Sequence, residues 1–105
     1  MGKITIVCYK PKEGKAEALK ELMKVHVPIL LAENLVTTRK PIIMEAKDGT
    51  VVEVFEWISE EAIQQAHKNA AVLELWQRFV EACDYTAPTA IEEFKNIFSG
   101  FNAVN

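Results

Sequence analysis

The spacing of apolar side chains shifts along this chain between a period of two and a period of three to four, and each shift predicts an element. Lys3 to Tyr9 alternates β-branched and polar residues and stops at Lys10-Pro11. That pattern predicts a first strand with Ile4, Ile6 and Cys8 on one face and Thr5, Val7 and Tyr9 on the other. From Gly14 the period lengthens, and Leu19, Leu22, Met23, His26 and Leu30 form one apolar helical stripe. Pro28 removes a backbone donor, so the last turn is expected to kink or tighten, with the helix over by Asn34. Leu35 to Ala46 is extended in character but broken by Pro41, and Asp48-Gly49 then turns the chain into Thr50 to Trp57, a hairpin signal.

Ser59 offers an N-cap with Glu60 and Glu61 in the first turn, which predicts a helix to about Lys68. Asn69 caps a further helix, in which Val72, Leu73, Trp76, Phe79, Val80 and Cys83 make the cleanest stripe of the sequence. A short fourth strand is expected near Asp84 to Pro88. In the tail, Thr89 and Glu92 form a capping box, and Ile91, Phe94, Phe98 and Phe101 share one helical face, so a docking helix is expected there.

Strand, helix, strand, strand, helix pair, strand is the order of a ferredoxin-like α+β domain, a four-stranded antiparallel sheet with its helices on one face. The division expected is a domain over residues 1–88 and a C-terminal helical extension over 89–105, packed on the domain or on a partner subunit. Both parities of Val51 to Trp57 are mostly apolar, so a lone copy would leave a large apolar patch on the sheet's free face.

Composition narrows the function classes. Hydrophobic residues make up 50% of the chain against 26% charged, which excludes disorder. A formal charge of −3 with dispersed lysines and arginines gives no footprint for nucleic acid. The longest apolar stretch, Val25 to Ala32, is far short of a membrane span, and without a signal peptide the chain reads as cytoplasmic. Two cysteines, Cys8 and Cys83, both in apolar patterns, read as buried free thiols, too few for a zinc site. No metal ligand set or phosphate cradle is visible, so no metal or other cofactor is expected.

The segment Val54-Phe55-Glu56-Trp57-Ile58-Ser59-Glu60-Glu61-Ala62, followed by His67, Asn69 and Val72, resembles the third strand and second helix of antibiotic-biosynthesis-monooxygenase proteins. With the Pro11 and Gly14 turn, the resemblance spans about residues 3 to 88. It implies a homodimeric α+β barrel, in which two sheets pack face to face and each subunit keeps a pocket between sheet and helices. That pairing would cover the apolar patch. In the haem-degrading branch of the superfamily a helical His, a Trp and an Asn serve the iron; the corresponding positions here are about Trp76, Ala66 and Val7, so that chemistry is disfavoured.

The only two histidines, His26 and His67, lie on apolar helical stripes that should pack on the same side of the sheet. Beside Trp57, Trp76 and Phe79 they would suit a pocket for a small aromatic or quinol-like ligand, with His67 as base supported by His26. The bland alternative is a satisfied interior imidazole in each case. Glu53 and Glu56 point to opposite faces of one strand, and a covered carboxylate there needs a partner, for which Arg39 is the obvious choice. Glu56 and Arg39 are thus candidates at the ligand or at an ion pair, while Tyr9, Asp84 and Tyr85 could reach the pocket mouth. Resemblance and residues together point to a cofactor-independent oxygenase, and the alternatives are a non-enzymatic binding or regulatory dimer and a proton-transfer isomerase.

Overall fold

The computed structural model describes residues 2–105. Its elements are β1 (Lys3–Pro11), α1 (Ala16–Ala32), β2 (Ile42–Glu45), β3 (Val51–Trp57), α2 (Glu60–Ala66), α3 (Ala70–Ala82), β4 (Cys83–Thr86) and β5 (Asn102–Ala103). The strands form one sheet in the order β4-β1-β3-β2-β5, and all its pairings are antiparallel. The expected caps are made: Ser59 Oγ accepts from the backbone N–H of Ala62, and Asn69 Oδ1 accepts from that of Val72. Each satisfies one of the orphan donors that open a helix.

Parity along the strands sorts the side chains. Tyr9 on β1, Ile43 on β2, and Val51, Phe55 and Trp57 on β3 are buried against the three helices. Leu19, Met23, Val27 and Leu30 of α1 meet them from above, with Val72, Leu75 and Phe79 of α3. The opposite parity faces the other way, where Cys8, Ala46 and Val52 pack under Ile91, with Phe94 and Phe101 against them.

Three expectations are corrected. The sheet has five strands instead of four, because Asn102 and Ala103 add to the outer edge of β2. The tail contains no α-helix among the described residues; it makes two 3-10 turns, Pro88–Ala90 and Glu92–Lys95, before that short strand. Ile91, Phe94 and Phe101 dock on the sheet as a helical stripe would, but Phe98 is 93% exposed, because the stripe breaks where the chain turns to reach the sheet edge. Pro28 stands inside α1, which runs on to Ala32, and the long extended segment before the hairpin pairs only over Ile42–Glu45 with one isolated bridge, Val36 to Trp57.

Candidate functional site

A cavity of about 370 Å³ opens between the sheet and the helices, lined by Tyr9, His26, Phe55, Trp57, Trp76 and Tyr85 among others. Local rules put those side chains there. In β3 the parity that buries Val51 and Phe55 also buries Glu53, which is 0% exposed. The β1–β3 register sets Val7 opposite Glu53, so Tyr9, on the same face and one pleat along, reaches Glu53 diagonally. The three- and four-residue stripe of α1 turns His26 onto that spot from above, and α3 brings Trp76 in beside Leu75 and Phe79.

The result is a hydrogen-bonded string. The Tyr9 hydroxyl donates to Glu53 Oε1 at 2.8 Å, and His26 Nδ1 lies 2.9 Å from the same oxygen. Trp76 Nε1 donates to His26 Nε2 at 3.3 Å. An indole N–H can only donate, so Nε2 is the acceptor and the ring proton sits on Nδ1, donated to the carboxylate. Aromatic rings box the imidazole in: Phe79 at 5.1 Å and Phe55 at 5.5 Å, both edge-on, with Tyr9 stacked on Phe79 at 5.2 Å. Glu53 Oε2 is buried with no hydrogen-bond partner among the described residues, so the carboxylate puts both of its contacts on one oxygen.

This environment disfavours charge on its phenols and thiols. Burial, and then the negative Glu53 beside it, hold the Tyr9 hydroxyl well above the ordinary tyrosine range. Tyr85 is pushed up to about 12, chiefly by burial and then by Cys83 and Glu53. Cys83, its Sγ 3.1 Å from the Phe79 carbonyl, is pushed up to about 11 by burial and then by Asp84. Burial alone raises Cys8.

Of the residues singled out in the sequence, His26, His67, Trp57 and Trp76 all line this cavity. His67 does so differently from His26: it is exposed, its Nδ1 is bound to the Ile63 carbonyl at 2.8 Å, and its ring meets Trp76 edge-on at 5.2 Å. Phe79 lies behind the cavity as packing for His26 and Tyr9. Glu56 and Arg39 are elsewhere. Glu56 takes the opposite parity, where Arg39 Nε at 3.0 Å and Thr37 Oγ1 at 2.9 Å donate to Oε1. The Arg39 hydrogen bond, and then that of Thr37, hold Glu56 below the usual carboxylate range. Arg39 therefore serves Glu56, and the partners of Glu53 are Tyr9 and His26. Strand parity was the available signal for Glu53, which shares the positions of Val51, Phe55 and Trp57.

A larger groove of about 1030 Å³ runs between α1 and residues 37–45. Its charged side chains lie at the surface, some of them paired as Lys20 is with Glu45 at 3.3 Å, and none of them is buried. The smaller cavity is the stronger site because its polar groups converge.

No family model matches the chain, and no curated protein matches it. Among solved structures it is similar to that of Rv0793 from Mycobacterium tuberculosis, with a TM-score of 0.63 and 19% identity, over 84% of this chain and 95% of that one. That likeness shows the fold alone. It covers nearly all of the other chain, so the general α+β architecture is not peculiar to this sequence.

Proposed function

We propose that the cavity binds a small, flat hydroxyaromatic or quinol-like molecule and that His26 removes its hydroxyl proton. The observation that carries this reading is the Glu53–His26 pair: a buried carboxylate holds Nδ1–H and keeps Nε2 an acceptor, met by Trp76 Nε1, on a ring that lines the cavity. That is the arrangement by which a carboxylate orients an imidazole base and stabilises the imidazolium that forms. The aromatic walls give stacking area for a ring, and Tyr9 and Tyr85 offer hydroxyls. His67, anchored to a backbone carbonyl and exposed, is the weaker base candidate of the two.

The reaction class proposed is cofactor-independent oxygenation. The hydroxyl proton passes to His26 Nε2, and the ring carbon of the resulting anion forms a C–O bond with dioxygen. The peroxide anion so formed takes the proton back from His26, and the hydroperoxide loses water as its O–O bond and the C–H bond of the same ring carbon break and a ring carbonyl forms. The protein's share is to deprotonate, orient and dry the substrate. Oxygen uptake with naphthols and quinols tests this, and uptake should be lost in His26→Gln. Saturable binding without uptake would instead favour a binding or regulatory role.

The strand order and one-sided helices fit a ferredoxin-like fold, and we propose that two copies pair through the free sheet face. Ile4 at 58%, Ile6 at 47% and Ile42 at 56% are exposed there beside half-buried Val54, an apolar patch that a monomer would have to leave in water. Light scattering should give about twice 11.8 kDa; a stable monomer would remove the barrel.

A further inference from the structure

The nitrogen assigned to proton abstraction is already engaged. Trp76 Nε1 lies 3.3 Å from His26 Nε2, so the cavity's own wall donates to the lone pair that a substrate hydroxyl would need. Of the two rings, His26 is the fixed one. It is 3% exposed, its Nδ1 is held by Glu53, and Phe55 and Phe79 close on it edge-on. Trp76 is half-buried and lines the open cavity. Its brace is His67, whose ring meets it edge-on at 5.2 Å while Nδ1 is tied to the Ile63 carbonyl on α2. A string thus runs from the exposed end of α2 through His67 and Trp76 to His26 and Glu53.

We infer that Trp76 is a latch on His26: its indole N–H occupies Nε2 in the empty cavity and must be displaced by a ligand hydroxyl before Nε2 takes a proton. This rests on the proposed role of His26 as base. At 3.3 Å the N–H···N contact is at the long end of hydrogen bonds, and a phenolic O–H makes shorter and stronger ones. A hydroxyl therefore exchanges with the indole, and the buried acceptor never goes without a donor. An ether or carbonyl of the same shape has no proton to give, so it leaves the latch closed and gains nothing from the base. Trp76 is thus a specificity-determining residue for hydroxyl ligands, and His67 a positioning residue that acts through it.

The first test needs no ligand. With ¹⁵N-labelled histidine, Trp76→Phe keeps a ring in place but removes the N–H, so the His26 Nε2 resonance should move downfield while Nδ1 keeps its proton. His67→Ala, at an exposed position that folding should tolerate, should move the same resonance in the same direction by less. An Nε2 resonance that stays put in both variants overturns the latch. In the unsubstituted protein, 2-naphthol should shift the Trp76 indole proton and 2-methoxynaphthalene should not; equal shifts would also overturn it. By calorimetry, Trp76→Phe should raise the preference for 2-naphthol over its methyl ether by about three- to tenfold, the worth of one competing hydrogen bond. A preference that is unchanged or falls contradicts the latch. If 2-naphthol does not bind the unsubstituted protein at all, the ligand reading fails, and the ligand-free resonance of Nε2 still decides the latch.

Discussion

Replacing Glu53 by leucine should be among the most damaging single changes in this chain, and a second substitution should partly repair it. Glu53 is fully buried and accepts from both the Tyr9 hydroxyl and His26 Nδ1. Leucine has a similar volume, so the cost comes from polarity more than from an empty space. Two buried donors lose their acceptor, each orphan costing about 1–3 kcal/mol, offset in part because an ionised carboxylate no longer has to be buried. The two orphans less that offset put Glu53→Leu at about 2–4 kcal/mol. Tyr9→Phe then has opposite signs in the two backgrounds. In the wild type it removes a hydrogen bond and should destabilise by about 1 kcal/mol; in the Glu53→Leu background it removes an orphan and should restore about 1–2 kcal/mol. Urea unfolding followed by tryptophan fluorescence reads both, provided the slope with urea is unchanged. The same sign in both backgrounds would refute the hydrogen-bonded string, as would a Glu53→Leu protein as stable as wild type.

The chain's two tyrosines should resist ionisation together, since Tyr85 is pushed up to about 12 and Tyr9 well above its ordinary value. A folded-state value raised above the unfolded one contributes stability that is whole below about pH 10 and is lost as pH climbs toward about 12. Tyrosinate absorbance should therefore stay low at pH 10.5 and rise only together with alkaline unfolding; normal titration of both hydroxyls in a folded protein would contradict the burial of Tyr9. Ile91, 2% exposed over Cys8 and Val52, should cost about 2–4 kcal/mol on change to alanine, whereas Phe98→Ala, at 93% exposed, should leave monomer stability unchanged.

Periodicity in the sequence reports which face a side chain takes, and it reported most of the fold. The hairpin at Asp48-Gly49, the caps at Ser59 and Asn69 and the stripes of α1 and α3 all follow from spacings of a few residues. Contacts between distant residues are another matter. Tyr9 and Glu53 are 44 positions apart, and only the β1–β3 register makes them neighbours, so the sequence offered Arg39, from the preceding segment, to whichever of Glu53 and Glu56 was covered; it pairs with Glu56, and the partners of Glu53 went unnamed. The tail misled for a related reason. A capping box and an apolar stripe give a helix when nothing competes, but pairing of Asn102 and Ala103 with β2 and docking of Ile91 on the sheet draw the segment into turns. His26 and Trp76 were legible as core-facing aromatics, while the bond between them, 50 positions apart, was not.

The proposed chemistry begins with a proton leaving a bound hydroxyl for His26 Nε2, and the absorption spectrum of bound 2-naphthol near pH 7 reads that transfer directly. With saturating wild-type protein the band of the naphtholate anion should appear, and with His26→Gln at equal occupancy it should vanish. A bound naphthol whose spectrum stays that of the neutral phenol, or an anion band that persists without the imidazole, would contradict it.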